Sequence, residues 1–278
     1  MVAGLTLKVS QIGVAWANVA PLVGLAALLV ATQVFYSRQR LDKHIAATCG
    51  MLAVIISASL LAAVISHTSL RIGMPFVDHA LSEADKAIGW HSPDMVQSFA
   101  GYPWFSNALA TLYNTALPVS IVCALALAVS QRTAHATEFV WSYVFCILLA
   151  SVSAIFLPAL GSTVYHGIEE IAGLPQNAGN FHMPVVDYYR STPDAVFNLN
   201  MITGIVTFPS FHMVMALLVP YAVRGETILF WIAVLWAGLV SLSAVVIGGH
   251  YLIDLIVGAF CWMVAVKTAA GAHASIRA

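Results

Sequence analysis

Residues 228–247 read ILFWIAVLWAGLVSLSAVVI, a run without a charged side chain. A helix needs about 20 mainly apolar residues to cross the hydrocarbon core of a membrane. The whole chain of 278 residues has a similar character, with 60% hydrophobic residues, 8% charged residues and a mean hydropathy of +0.89. Since soluble domains carry about 25% charged residues, this composition excludes a soluble globular protein and a disordered one. A net charge of −1 also provides no basic surface for nucleic acid.

Apolar stretches long enough, or nearly long enough, to cross a membrane recur along the chain. They cover residues 12–36, 45–66, 104–130, 138–159, 209–223, 228–247 and 250–268. The first follows only a single Lys8, which favours a retained helix over a cleaved signal peptide. The sequence therefore predicts an all-α, polytopic transmembrane helical bundle with about six to seven spans in one integrated membrane domain.

The positively charged residues predict the orientation of these spans. On one side of the membrane, the connections contain seven of the 11 Lys and Arg residues: Arg38, Arg40, Lys43, Arg132, Arg224, Lys267 and Arg277. The other side contains Lys8, Arg71, Lys86 and Arg190. Cytoplasmic loops are enriched in Lys and Arg, so the first side is predicted to be cytoplasmic. The sequence therefore predicts a multi-pass protein of the cell membrane, with segments 67–103 and 160–208 on the extracytoplasmic side.

The outer segment 74–90 has its own helical pattern. Apolar residues stand at positions 77, 81, 84 and 88, which is the spacing of one face of a helix. This pattern predicts a short amphipathic helix lying in the outer membrane interface.

The segment TFPSFH, residues 207–212, opens the fifth predicted span. Pro209 suits the first turn of a helix, because the N–H that proline lacks would have no partner there. Ser210 and His212 are then expected beside unpaired backbone N–H groups at the positive end of the helix dipole. Such a position attracts anions.

The segment GGHYLID, residues 248–254, opens the seventh predicted span. His250 and Asp254 are four residues apart, so on a helix they share a face and can touch. A carboxylate bonded to one imidazole nitrogen fixes the tautomer and leaves the other nitrogen free to act. Gly248 and Gly249 carry no side chains where ligand oxygens could approach the backbone. In the predicted topology both helix starts face outward and converge on one anion.

Two other interpretations of these residues are open. His212, His250 and Asp254 could form a two-histidine, one-carboxylate metal site, although anion-attracting helix starts argue against a bare cation. The same side chains could instead form a proton or ion relay in a transporter or channel. A relay predicts polar residues across the whole bilayer, whereas residues 228–247 carry no charge. A one-sided site favours an enzyme, and neither metal nor cofactor is expected.

The two segments resemble motifs of the type 2 phosphatidic acid phosphatase superfamily. Pro209-Ser-Phe-His212 is similar to its Pro-Ser-Gly-His motif, and His250-x-x-x-Asp254 to the end of its Ser-Arg-x5-His-x3-Asp motif. The phenylalanine in the first motif and the sequence GGHYLID resemble the inositol phosphorylceramide synthase-like branch. The segment from Asp78 to Gly89 is also similar to bacterial members of that branch.

This resemblance implies a role for each matching residue. His250 corresponds to the nucleophile that forms a phosphohistidine, and Asp254 to the carboxylate that orients it. His212 corresponds to the acid that protonates the leaving oxygen and then activates the incoming water or alcohol. Such a reaction in two displacements needs one nucleophile and one acid/base that changes role.

The sequence departs from the superfamily where cations are expected. The motif Lys-x6-Arg-Pro is absent, and Ala244 stands at the position of the arginine in the third motif. We therefore predict Arg190, Ser210 and Gly249 as the phosphate-binding residues, with Arg190 supplying a bidentate guanidinium. Weaker candidates are Arg71, Lys86 and His166, while a polar headgroup could contact Glu169 and Glu170.

The resulting prediction is a lipid-phosphate phosphatase or phosphotransferase that works through phosphorylated His250 at the outer membrane face. Residues 1–73 are assigned to N-terminal transmembrane helices and residues 74–278 to the catalytic membrane domain. The expected partners are a lipid phosphate or phospholipid substrate, a polar alcohol acceptor in the case of transfer, and membrane lipids. Hydrolysis and transfer share these motifs. A non-catalytic transporter or channel is the alternative.

Overall fold

The computed structural model describes residues 1–40, 42–130, 132–168 and 171–277 and is a bundle of helices. The helices are Val2–Ser10 (α1), Trp16–Arg38 (α2), Lys43–Ser69 (α3), Asp78–Ala87 (α4), Ser92–Ala100 (α5), Pro103–Val129 (α6), Thr133–Phe156 (α7), Ser162–Tyr165 (α8), Met183–Ser191 (α9), Phe211–Ala222 (α10), Thr227–Val246 (α11) and Leu252–Arg277 (α12). Short 3-10 helices cover Leu70–Ile72 and Leu199–Met201.

Within the described ranges, six helices are long and apolar enough to cross a membrane: α2, α3, α6, α7, α11 and α12. Their hydropathy and length confirm the prediction of an all-α polytopic bundle, and the chain is an integral membrane protein. Local signals fix some of the helix starts. Asp42 caps α3, for example, by accepting hydrogen bonds from the backbone N–H groups of His44 and Ile45.

The fifth apolar stretch, 209–223, forms helix α10, which is too short to be one of the spans. Helix α10 has 12 residues and a length of about 18 Å, which is less than the roughly 30 Å of a hydrocarbon core. It packs against α6, α7, α11 and α12 at the centre of the bundle, where Ala216 and Leu218 are fully buried. The chain before α10 is non-helical, and this is tolerated inside a membrane protein when the backbone is buried in protein. Thr207 in this segment is buried and donates to the carbonyl of Ala159.

The predicted helix in segment 74–90 is present as α4, and it buries two carboxylates against the rest of the protein. Ile88 is 52% exposed, whereas Asp78 and Asp85 are each only 2% exposed. Both carboxylates share a helix face with buried Leu81 and Ser82. The apolar spacing predicted the helix correctly, and its location in the membrane interface stays a prediction. The burial of Asp78 and Asp85, which hydrogen bonds to the rest of the protein stabilise, has no signal in that spacing.

Two short parallel strands connect distant parts of the chain. Strand β1, Gly13–Val14, pairs with strand β2, Val196–Phe197. Beside them, the amide of Asn18 donates to the side-chain oxygen of Asn198 at 2.7 Å. The segment before α2 is thus attached to the loop that leads towards α10.

Candidate active site

His250 and Asp254 are in contact, but not on one helix face as predicted, because α12 begins at Leu252 and His250 reaches Asp254 from the loop before it. The His250 Nδ1 lies 3.3 Å from Asp254 Oδ2, and the same oxygen accepts the backbone N–H of Tyr251 at 2.9 Å. Asp254 is fully buried and His250 is 3% exposed. The carboxylate therefore holds the imidazole with Nδ1 as the donor, which leaves the lone pair on Nε2.

The start of α10 meets the start of α12. Helix α10 begins at Phe211 rather than at Pro209, and Ser210 is its N-cap, with its hydroxyl oxygen accepting from Met213 N–H. The same hydroxyl lies 3.4 Å from His250 Nε2, and Ser210 N–H donates to the Asp254 carbonyl at 3.0 Å. The two segments singled out in the sequence therefore share one site.

His212 lies in the first turn of α10, next to His250. The two ring centroids are 5.8 Å apart, with the ring planes at 64°. The other side of the His212 ring stacks on Tyr113 of α6, at a centroid distance of 4.1 Å and an angle of 17°. This stacking fixes the ring plane. Tyr113 could not be predicted as a residue of the site, because it lies in an ordinary apolar helix.

Protein backbone closely surrounds the loop before His250. Gly249 has a φ of +72°, and a Cβ there would lie 2.9 Å from the Gly179 carbonyl oxygen. Its own carbonyl accepts the Ser162 N–H at 2.7 Å, while Gly179 N–H donates to the Ile247 carbonyl at 2.7 Å. Only glycine fits this conformation and this approach. None of these bonds uses the Gly249 N–H, which stays a predicted phosphate donor.

A third histidine, His182, lies near the first two and was missed by the sequence reasoning. It is 3% exposed, and its Nε2 lies 2.7 Å from the Leu160 carbonyl oxygen. Burial lowers the pKa of His182, the bond to Leu160 opposes this shift, and the charge of neighbouring His250 lowers the pKa further. His182 therefore favours its neutral form.

The buried carboxylates of α4 also reach this region, and the sequence did not indicate them. Asp85 accepts the backbone N–H groups of Leu252 and Ile253, the first two residues of α12. Asp78 accepts the hydroxyl of Tyr251. The sequence predicts that the first backbone N–H groups of α12 bind an anionic ligand. In the structure they donate to the carboxylate of Asp85 instead.

The structure places the predicted cation Arg190 in a different setting. Its guanidinium donates to the carbonyl of Met74 at 2.8 Å and lies 3.8 Å above the ring of Phe76. These contacts tie Arg190 to the loop before α4 and do not bring it to the two histidines. Its role as a phosphate ligand stays a prediction.

The weaker candidates have local partners of their own. Arg71 donates to the carbonyls of Arg190 and Pro193, and Lys86 pairs with Glu83 on the surface of α4. His166 lies 3.2 Å from the Ser82 hydroxyl. Glu169 and Glu170 lie outside the described residues. In the part of the chain that the structure describes, no three His, Cys, Asp or Glu side chains are grouped so that they could hold a metal ion.

Comparisons with known proteins give one match. The sequence model of the PAP2 superfamily matches residues 79–268, a segment that contains both histidine motifs and all of α4 except Asp78. No curated protein and no solved structure matches the chain. Because the family match covers more than half of the sequence, the chain belongs to the PAP2 superfamily, the type 2 phosphatidic acid phosphatases.

Proposed function

We propose that this protein is a lipid-phosphate phosphatase or phosphotransferase that acts through a phosphohistidine at His250. The observation that carries the proposal is the arrangement of His250 between Asp254 and Ser210. Nδ1 faces the buried carboxylate at 3.3 Å, Nε2 lies 3.4 Å from the Ser210 hydroxyl, and the His212 ring is adjacent. Membership of a phosphatase superfamily supports this class of activity.

The first displacement forms a bond between His250 Nε2 and phosphorus, and the bond from phosphorus to the leaving oxygen breaks. His212, protonated at this stage, gives its proton to that oxygen. Asp254 stabilises the positive charge on the imidazole through Nδ1–H. In the second displacement, neutral His212 takes a proton from water or an alcohol. The new oxygen then attacks phosphorus and releases His250.

The phosphate group needs donors in place of the missing Lys and Arg. We propose that the Ser210 hydroxyl and the Gly249 N–H supply them, together with the N–H groups of Phe211 and His212 in the first turn of α10. Backbone donors that are fixed before the reaction stabilise charge on phosphate oxygens at no cost of reorganisation. Arg190 is proposed as a further ligand, which requires it to leave its present contacts with Met74 and Phe76.

The substrate proposed is an amphiphile whose tails remain in the bilayer while its phosphate reaches the histidines. We place the site on the extracytoplasmic side, following the distribution of Lys and Arg. The likeness of GGHYLID to the inositol phosphorylceramide synthase-like branch favours an alcohol over water as the acceptor. The grouping of His212, His250 and Asp254 at one end of the bundle supports an enzyme over a relay that crosses the membrane.

The test uses purified protein in detergent with a panel of labelled lipid phosphates and phospholipids, with and without added polar alcohols. Free phosphate and new phospholipid are followed together for the unmodified protein, for His250→Ala and for His44→Ala. His44 is an exposed histidine at the other end of the bundle and serves as the matched control.

We expect the unmodified protein and His44→Ala to turn over at least one lipid, and His250→Ala to be inactive. Phosphate release identifies a phosphatase, and a new phospholipid that requires the alcohol identifies a transferase. Equal turnover by the unmodified protein and His250→Ala contradicts the phosphohistidine. If no lipid in the panel reacts, the proposed activity is contradicted for those lipid classes, and ion flux in liposomes tests the relay.

A further inference from the structure

Helix α4 buries two carboxylates at the same end of the bundle as the histidines. Asp78 and Asp85 are each 2% exposed and are seven residues apart, so they lie on one face of the helix. Burying a carboxylate is unfavourable unless its oxygens are hydrogen-bonded. The donors that compensate this burial show what each carboxylate holds in place.

Asp85 holds the beginning of α12. Its Oδ1 accepts Ile253 N–H at 2.8 Å, and its Oδ2 accepts Leu252 N–H at 3.0 Å and the Ser92 hydroxyl at 3.0 Å. The carboxylate thus bridges the first two amides of the helix and acts as a cap supplied by another helix. His250 precedes Leu252 by two residues, so this cap fixes the backbone that carries the imidazole.

Asp78 joins the other two segments around His250. Its Oδ1 accepts the Tyr251 hydroxyl at 3.1 Å and Gly161 N–H at 2.8 Å, and its Oδ2 accepts Leu160 N–H at 2.9 Å. Leu160 also contacts His182 through its carbonyl oxygen. Ser162, the residue after Gly161, donates to the Gly249 carbonyl. Asp78 therefore links the residue after His250 to the loop that contacts the residue before it.

We propose that Asp78 and Asp85 are positioning residues for His250, a role that rests on the proposed function. Neither carboxylate contacts the reacting atoms. Through Tyr251 and the first turn of α12 they set the distance and angle at which Nε2 faces the phosphate. A displacement of about 1 Å in a reacting group can cost about 100-fold in rate.

The experiment compares Asp85→Asn, Tyr251→Phe and Glu83→Gln with the unmodified protein. Asp85→Asn keeps the shape of the side chain but removes the charge and one of the two acceptors of backbone N–H groups. Tyr251→Phe removes only the hydroxyl that reaches Asp78. Glu83 lies on the exposed face of α4, so Glu83→Gln is the matched control. Folded fraction, kcat, KM and amide hydrogen exchange at residues 251–253 are measured for each protein.

For Asp85→Asn we expect faster exchange at residues 251–253 and a kcat lowered by about 100-fold per folded molecule, with KM unchanged. Tyr251→Phe should lower kcat in the same sense by a smaller factor, and Glu83→Gln should change neither quantity. A purely structural role predicts a lower folded fraction with normal kcat in the molecules that fold, and this result overturns the proposal. So does unchanged exchange at residues 251–253 in Asp85→Asn.

Two further outcomes are decided within the same experiment. If Asp85→Asn does not fold, Tyr251→Phe becomes the test of the positioning role, because it retains the aromatic ring and both carboxylates. A normal kcat in Tyr251→Phe then overturns the proposal. If the unmodified protein converts no lipid phosphate, the proposed function fails by itself. The exchange rates then still report whether Asp85 holds the start of α12, since they need no substrate.

Discussion

Helix α10 begins beside Asp254 and ends beside Glu138, and these two acidic residues are stabilised in different ways. Asp254 is fully buried and contacts His250 and the backbone N–H of Tyr251. Glu138, whose side chain is 11% exposed, accepts from the guanidinium of Arg224 at 2.7 Å and from a tyrosine hydroxyl at 2.9 Å. One carboxylate faces a group that can lose its proton, and the other faces a permanent cation.

The difference separates a reactive arrangement from a structural one. A guanidinium stays charged at any physiological pH, so the pair at the end of α10 is static and its contribution is to stability. A histidine can gain and lose a proton near neutral pH, so the pair at the start of α10 can take part in proton transfer. The comparison predicts that substitutions at the first end change activity, while those at the second end change stability.

Among the substitutions that compare the two ends of α10, the largest effect is expected for His212→Gln. The variant keeps a polar side chain but cannot donate and accept a proton in turn, so turnover of a lipid found by the panel should fall by about 10²–10⁴-fold. The stacking partner Tyr113 provides a control, because Tyr113→Phe keeps the ring under His212 and should retain most of the activity. Comparable activities for His212→Gln and the unmodified protein would remove His212 from the mechanism.

A change in stability without a change in kcat is expected for Glu138→Ala. This substitution leaves Tyr221 and Arg224 without their shared acceptor, and it should lower the free energy of unfolding by about 1–3 kcal/mol. The pair between Arg132 and Glu226 is more exposed, with side-chain exposures of 39% and 48%, so Arg132→Ala should cost only about 0–1 kcal/mol. Denaturation in detergent measures the loss of unfolding free energy in both variants. A large loss of kcat in Glu138→Ala would contradict the assignment of a purely structural role to the residues at the end of α10.

The smallest effect concerns pH. Burial lowers the pKa of His182 below its ordinary value of 6.5, so below that pH the unfolded chain binds the proton more readily than the folded protein does. Stability should therefore fall as the pH drops from about 7 to about 5, by less than about 1.4 kcal/mol per pH unit from this residue. His182→Gln keeps a donor for Leu160 and does not titrate, so its denaturation curves should shift less with pH. If the denaturation curves of the unmodified protein and of His182→Gln shift equally with pH, His182 is not the cause of the pH dependence of stability.

The helices and the central pair of the site follow from local signals in the sequence. Apolar runs indicate the spans. The spacing of His250 and Asp254 predicts a contact on one helix face, and the contact forms although His250 lies in the loop before α12. The meeting of α10 with α12 followed from topology alone, since both segments open spans that were assigned to the same side. The bond from Ser210 N–H to the Asp254 carbonyl confirms it.

The residues that the sequence did not reveal depend on distant partners. Asp78 and Asp85 have the spacing of a polar helix face, and nothing local distinguishes a solvated carboxylate from one that caps another helix. His182 is not part of a periodic pattern that would predict its position in the fold. Tyr113 cannot be distinguished by sequence from other aromatic residues in a membrane span. Helix α10 begins two residues after Pro209, the predicted start, because Ser210 is its N-cap and accepts the Met213 N–H.

The pairing of Gly13–Val14 with Val196–Phe197 bears on how such proteins can be recombined. The family match begins at residue 79, which suggests that the N-terminal helices could be exchanged between relatives at a cut near residue 74. The strand pair and the bond between Asn18 and Asn198 cross that cut. A chimera joined there would place a foreign strand against the loop leading to His212. The natural unit of exchange in this chain is therefore larger than its recognisable family segment.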